Sequence, residues 1–328
     1  MKTALVLGAT GGIGGEVARQ LVAAGWQLRG LRRKEGEPHK DGLTWFTGDA
    51  MNRQDVLRAA EGVSVIVHAV NPPGYQRWAE LVLPMLDNSI AAAKANNARI
   101  VLPGTVYNFG PDVFPTVLEG APQNPISRKG AIRVEMERRL QDASSQGARV
   151  LIVRAGDFFG PKAGNTWFAQ GLIKPGKPVR QISNPARAGV GHQWAYLPDV
   201  GRTMVSLLAQ EATLPAFASY HFEGFWDADG TQFAAAIQRV VTTQTGMTPR
   251  IGRFPWLFLR LISPFVTTLR ELMEMRYLWK QPVRLDNRQL IATLGHEPRT
   301  PIDEAIKTTL QGLGCLRHEH PAAINHKS

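Results

Sequence analysis

Cysteine is almost absent. Cys315 is the one thiol in 328 residues, which excludes an intrachain disulfide and suits a reducing, cytoplasmic setting. Long apolar runs are also missing. The most apolar stretch, Phe254–Leu269, is interrupted by Pro255, Arg260 and Pro264, and it is shorter than the ~20 apolar residues of a spanning helix. It reads as broken helix covering a pocket or a subunit interface, the latter pointing to a homodimer. A membrane-surface segment is the alternative, but no membrane partner is expected. Met1-Lys2-Thr3 leads straight into a short apolar strand, so no signal peptide is expected. Of the eight histidines only His318 and His320 lie close together, with no cysteine beside them, so no metal site is expected. The net charge is +11, yet there is no long Lys/Arg run and no nucleic-acid recognition motif. Nucleic acid is therefore not an expected partner. The cations read as a solvated surface, some of them facing cofactor or substrate phosphates. No Walker turn, no Gly-x-Ser-x-Gly elbow and no internal repeat occurs.

The pattern that is present is an alternation of strands and helices. Thr3–Leu7 is a short apolar run, and Ile13, Val17 and Leu21 then recur at helical spacing up to a stop at Gly25. Further strands are predicted at Gln27–Leu31, Thr44–Phe46, Ser64–Ala69, Arg99–Leu102 and Arg149–Val153. Helices are predicted at Arg53–Ala60, Trp78–Ala95 and Gly130–Ala143. This rhythm predicts an α/β fold, a doubly wound parallel Rossmann sheet. Beyond Arg154 it loosens. Gly and Pro crowd Phe159–Pro185, as loops around a cleft do. Helical periods return at Asp199–Ala209, Thr231–Val241, Pro264–Met275, Asn287–Leu294 and Ile302–Leu313. The expected division is a dinucleotide domain over residues 1–155 with 193–224, a smaller substrate lobe over 156–192 and 225–315, and a polar tail over 316–328.

Gly8-Ala9-Thr10-Gly11-Gly12-Ile13-Gly14 lies between the first strand and the first helix. Gly8 lets the chain turn off the strand, Gly11 lets backbone amides reach a pyrophosphate, and Gly14 lets the helix sit close to the sheet. The turn, with Thr10, Gly12 and Ile13, predicts dinucleotide binding at a helix N-terminus. An NAD site usually has Asp or Glu at the end of the second strand. Here the chain reads Leu31-Arg32-Arg33-Lys34. Arginine forks match a 2′-phosphate, so NADP(H) is expected ahead of NAD(H). The alternative is that Arg32 and Arg33 are solvated loop cations. Asp49 is a candidate contact to the adenine edge, and Ala69, Val70 and Asn71 would line the ribose side.

With this turn the sequence resembles the extended short-chain dehydrogenase/reductase superfamily, the NAD-dependent epimerase/dehydratase group. The likeness spans Lys2–Leu313. It is carried by Gly8–Gly14, Val106-Tyr107 with Gly110, Arg154 through Phe159-Gly160-Pro161, Trp194–Val200, and Leu285-Asp286-Asn287 with Leu294–Pro298. The resemblance implies a cofactor domain with a C-terminal substrate lobe, and a catalytic Tyr-x-x-x-Lys with a Ser or Thr before it. Anchored on Gly130 and Glu137, the tyrosine position holds Lys129 and the lysine position holds Arg133. The hydroxyl position, counted back from Tyr107, holds Pro103, with Thr105 nearby. The chain therefore resembles atypical members that keep the fold and replace the catalytic set.

Arg133 can still reach a nicotinamide ribose, but it does not trade protons near neutrality. Lys129 could do so only if its surroundings lowered its pKa. The plainer reading makes Lys129 and Arg133 solvated cations on one helix face, with Glu137 four residues beyond Arg133. If the protein is an enzyme, Tyr107 is the expected acid, Thr105 positions the substrate oxygen and Lys129 is the further candidate. Asp157 and His192 could face the cleft or be structural. Two functions stay open: an NADP(H)-dependent oxidoreductase or epimerase-like enzyme for a small carbonyl or hydroxyl compound, sugar-derived ones included, and a non-catalytic NADP(H) sensor.

Overall fold

The computed structural model describes residues 2–37, 39–40, 42–72, 78–263 and 267–317. Its centre is an eight-stranded sheet of order β12-β8-β6-β5-β1-β2-β4-β3. Seven strands are parallel: β1 (Thr3–Leu7), β2 (Gln27–Arg32), β4 (Leu43–Thr47), β5 (Val65–His68), β6 (Arg99–Thr105), β8 (Arg149–Ala155) and β12 (Phe217–His221). The short β3 (His39–Lys40) closes one edge antiparallel to β4. Leu5, Ile66, Val67, Ile100, Val101, Leu151 and Ile152 are fully buried, as expected of strands covered on both faces. Helices α1 (Gly12–Ala23) and α5 (Leu197–Ala209) cover one face. The other carries α2 (Arg53–Ala59), α3 (Trp78–Asn96) and α4 (Arg128–Ser145). All six predicted strands are present. The seventh parallel strand, β12, is short and mixed in composition, so periodicity did not separate it from a loop.

Smaller pieces gather beyond β8. The two-residue β7 (Thr116–Val117) pairs with β15 (Arg284–Leu285), and β9 (Asp157–Phe159) pairs with β11 (His192–Tyr196) and β13 (Phe225–Asp227) in a three-stranded sheet. A separate pair joins β10 (Gln181–Asn184) to β14 (Arg250–Arg253). Five helices complete the chain: α6 (Gln232–Thr245), α7 (Trp256–Ile262), α8 (Thr267–Glu274), α9 (Arg288–Leu294) and α10 (Ile302–Gly312). An aromatic core of Phe159, Phe168, Trp194, Phe233 and Trp279 holds most of this lobe together. Pro264, the expected start of α8, and the tail from residue 318 lie outside the described residues.

One buried charge pair fixes α4 on the sheet. Arg154, at the C-terminal end of β8, donates Nε–H to Glu137 Oε1 at 3.0 Å and Nη2–H to Glu137 Oε2 at 2.5 Å. Both side chains are buried. The third arginine nitrogen, Nη1, faces His221 Nε2 at 3.2 Å, while His221 Nδ1 faces the Val117 carbonyl at 3.2 Å. These partners assign the neutral tautomer with hydrogen on Nδ1. Burial, reinforced by the Arg154 charge, pushes the His221 pKa down to about 3. Sequence spacing paired Glu137 with Arg133. The structure corrects this, because the Glu137 carboxylate is taken by Arg154 and by Gln123, whose amide donates to it at 2.8 Å. Breaking a buried pair from one side strands the other charge. Glu137→Ala should therefore cost ~3–5 kcal/mol in urea unfolding, and Glu137→Leu with Arg154→Met should cost much less. An equal loss in the single and the paired variant would show that the charge pair is not what docks α4.

Candidate functional site

The glycine turn is shaped by close backbone approach. Gly8 has φ +87°, and a Cβ on it would lie 2.5 Å from the Ala69 carbonyl oxygen. A Cβ on Gly14 would meet the Gly8 carbonyl oxygen at 2.3 Å, so both positions exclude a side chain. Gly11 differs. Its backbone is extended, and the nearest atom to a built Cβ is the Gly8 oxygen at 3.2 Å. Gly11 and Thr10 face solvent, and Ile13 packs into the core beneath. As N-cap of α1, Gly11 offers no side-chain hydrogen bond, and the first turn carries no acid. The amides there are left to a ligand, and the partial positive charge of the helix end favours an anion. The turn, with Gly12 behind it, fits the pyrophosphate of a dinucleotide.

The two flanks of the turn carry the other expected contacts. Arg32 is the last residue of β2. Its guanidinium lies 5.2 Å from the centre of the Trp45 ring and donates to the Glu37 carbonyl at 2.6 Å. Its Nε is buried and has no hydrogen-bond partner among the described residues. Arg33 is exposed. Asp49 is half-buried, and its Oδ1 accepts from the Met51 amide at 2.9 Å. On the other flank Ala69 and Val70 are half-buried, and the Asn71 Oδ1 accepts from the Trp78 indole at 2.6 Å. His68, ahead of them, hydrogen-bonds Ser89 through Nδ1 at 2.8 Å, while its buried Nε2 has no partner among the described residues. Burial first, then the Arg133 charge, lowers the His68 pKa to about 3, so the ring is neutral.

Lys129 and Arg133 are not a solvated stripe. Lys129, second residue of α4, is 5% exposed. Arg133, one turn on, lies 5.3 Å over the Trp78 ring and reaches the Pro103 carbonyl at 3.5 Å. The helix starts where Ser127 Oγ accepts from the Gly130 amide at 3.0 Å. Across from it, Thr105 ends β6 and caps the 3₁₀ turn Val106–Asn108, its Oγ1 accepting from the Tyr107 amide at 3.3 Å. Asn108 donates to Gln123 at 3.0 Å, and Gln123 donates to Glu137. The network around Arg154 thus runs up to Thr105. Tyr107 is half-buried and packs in the apolar cluster of Val106, Phe109 and Leu278. None of the five tyrosines of the chain is followed by a lysine four residues on.

The structure brings together groups that were weak candidates in the sequence. A small cavity of about 10 Å³, room for roughly one water, is lined by Val106, Gly156, Leu278 and Val283. Asp157, His192 and Gln193 stand in its wall. His192 Nε2 and Asp157 Oδ2 are 2.8 Å apart, and the imidazole stacks on Trp279 at 3.8 Å with an angle of 10°. A carboxylate holding one imidazole nitrogen fixes the orientation of the ring. The Tyr277 hydroxyl is buried close by, and burial with the carboxylates of Glu274 and Asp157 raises its pKa to about 12. Nothing in its local sequence marks Tyr277. It reaches the site because α8 and the 3₁₀ turn Met275–Trp279 fold back onto α4. Of Trp167, Trp194, Trp226 and Phe254, expected to give the pocket its aromatic character, none borders this cavity, and the ring stacked on His192 is Trp279. His192 also meets the Trp194 ring edge-on at 5.1 Å. No group of three or more potential metal ligands occurs among the described residues, and no helix there is long and apolar enough to cross a membrane.

Known structures share this architecture. UDP-glucuronic acid 4-epimerase from Bacillus cereus, in complex with UDP-glucuronic acid and NAD, superposes with a TM-score of 0.71 at 15% identity over 95% of this chain and 98% of that one. The Bordetella bronchiseptica enzyme WbmH in complex with NAD+ gives 0.67 at 18% identity over 95% and 98%. MoeE5 in complex with UDP-glucose and NAD gives 0.69 at 16% over the same shares. At these identities the likeness shows a common fold. No curated protein matches the chain by sequence. A family model described as NAD(P)H-binding matches residues 8–172, which contain the glycine turn, the flanks with Arg32, Asp49 and Asn71, and the start of α4. The chain belongs to this NAD(P)H-binding family.

Proposed function

We propose that the protein is an NADP(H)-dependent, epimerase-like oxidoreductase for a small hydroxyl or carbonyl compound, and that it works without the usual Tyr-x-x-x-Lys pair. The observation that supports the reading is the burial of the polar groups Lys129, Asp157 and His192 in a chain with an uncapped, glycine-lined helix start. A protein that only holds a dinucleotide has no need of Lys129 at 5% exposure or of a buried Asp157–His192 pair facing a cavity. The bound dinucleotide would accept or supply hydride at its nicotinamide ring. Gly8, Thr10, Gly11, Gly12, Ile13 and Gly14 would hold its pyrophosphate, with Asp49 toward the adenine and Ala69, Val70, Asn71 and Arg133 toward the riboses. Tyr107 and Lys129 stand as the proton-handling candidates, with Thr105 positioning the substrate oxygen. Arg32 and Arg33 support NADP(H) over NAD(H), since an arginine fork recognises a 2′-phosphate and no carboxylate ends β2. The named ligands of the fold neighbours, UDP-sugars and NAD, make sugar-derived substrates the first to test. A second reading, a non-catalytic NADP(H) sensor, draws on Thr105, whose hydroxyl is engaged by the Tyr107 amide and by Asn108.

Three sets of variants test this. Gly11→Val keeps a backbone conformation that valine adopts, so it should leave the fold intact and abolish NADPH binding in calorimetric titration. A folded Gly11→Val protein with full affinity would remove the dinucleotide site from this turn. Arg32→Ala should weaken NADPH roughly ten- to hundredfold, the worth of a charged hydrogen bond, and barely change NADH. Equal weakening of both cofactors, or of neither, would show that Arg32 does not read the 2′-phosphate. For chemistry, Tyr107→Phe removes only a hydroxyl. If Tyr107 is the acid, NADPH-dependent turnover of UDP-sugar or simple carbonyl substrates should fall about 10²–10⁴-fold with NADPH affinity unchanged. Turnover kept by Tyr107→Phe and lost by Lys129→Ala or His192→Gln would move the proton transfer to those groups.

A further inference from the structure

The stretch of chain around α7 is basic. From Gly230 to Arg270 the sequence has no Asp or Glu, and it carries Arg239, Arg250, Arg253, Arg260 and Arg270. Arg239 is taken up by Asp303. Arg250, Arg253 and Arg260 are exposed. Within this basic stretch α7 turns apolar side chains outward. Leu257 is 73% exposed, Phe258 60% and Leu261 67%, and all three lie on one face at i, i+1 and i+4. Ile251 on β14 is 42% exposed.

The inner side of the helix is well anchored, so this exposure is not a loose end. The Trp256 indole donates to the Pro185 carbonyl at 2.9 Å and packs against Phe254 and Trp167, and Arg276 covers its ring at 5.2 Å. Leu259 and Ile262 are partly buried. A helix that is satisfied within and apolar without presents a contact surface.

The charges identify the partner. A second copy of this chain on a two-fold axis would set the same arginines against one another, and like charges across an interface are repelled. Nucleic acid would suit the arginines and leave the leucines and Phe258 in water. An anionic bilayer offers hydrocarbon and negative charge in one plane, which is what interfacial helices with aromatic and aliphatic faces and arginine flanks engage. We propose that α7 docks the protein on an anionic membrane surface. Leu257, Phe258 and Leu261 enter the acyl–headgroup boundary, and Arg250, Arg253 and Arg260 meet the lipid headgroups. The proposal does not depend on the enzymatic reading.

Flotation of the full chain with vesicles decides it. One set is phosphatidylcholine alone, and the other contains about a third phosphatidylserine. The protein should float with the anionic set only, and less as salt rises. Arg253→Gln and Arg260→Gln should each lower binding roughly fivefold. Leu257→Ser with Phe258→Ser and Leu261→Ser should bring it to background. Unchanged circular dichroism and NADPH titration would show that these surface variants are folded. No flotation, equal flotation on neutral vesicles, or full flotation of the triple serine variant would overturn the proposal. So would a dimer, by light scattering, that the triple serine variant converts to monomer, since a second copy would then cover the face.

Discussion

The arrangement of the site depends on one buried ion pair. Arg154 leaves the sheet at the end of β8 and spends all three guanidinium nitrogens inside the protein, two on Glu137 and one on His221. Taking a guanidinium out of water is tolerated only when its hydrogens are matched. That requirement places α4 over the sheet edge, holds His221 neutral, and through Gln123 and Asn108 sets the turn that carries Tyr107. At the opposite end of the sheet, Arg99 and Arg149 share Glu211, at 2.6 Å and 2.5 Å. The two ends are built alike, each around buried or half-buried arginines that share a carboxylate or are matched by one.

Much of the Rossmann half was legible because its signals are local. Five residues of Thr3–Leu7 and a glycine turn announce a strand and a helix start, and the same period recurs through Arg149–Val153. The glycine turn is local in the same sense, since it follows the end of β1. The small strands beyond β8 were not legible. β9 and β13 are three residues long and β7 and β15 only two, too short to show alternation. Their partners are fixed by tertiary contact, as where β7 meets β15 across more than a hundred residues.

Asp157 and His192 were visible as cleft candidates, but their pairing was hidden for the same reason. Asp157 and His192 are 35 positions apart, and Tyr277 comes from a third segment. Sequence spacing also misled at α4. Arg133 and Glu137 stand at i, i+4, a spacing that favours a surface pair, but Glu137 turns inward to a cation on β8. Helical spacing states which side chains share a face and leaves open what that face meets. Lys129 shows this best, because a cation at the start of a polar helix is ordinarily solvated, and here it is buried.

The outward face of α7 and the cavity wall belong to one packed body. Trp256, on the inner side of α7, lies 5.7 Å from Trp167; Trp167 lies 5.0 Å from Trp279; and Trp279 stacks on His192 at 3.8 Å. Rings at these separations are in contact, and a close-packed interior resists local deformation. The orientation of the His192 imidazole is therefore set from two sides, by the Asp157 carboxylate in the plane of the ring and by this column of indoles against its face. A load on α7 reaches the second of these constraints and leaves the first untouched. Asp157 and Asp227 are turned inward onto hydrogen-bond donors, Asp303 and Glu304 lie at or near the surface, and Arg250, Arg253 and Arg260 are exposed. The net charge of the chain is +11. Part of it is concentrated where the protein exposes its most apolar helix, and in water that pairing is stabilising only if something with both properties lies against it.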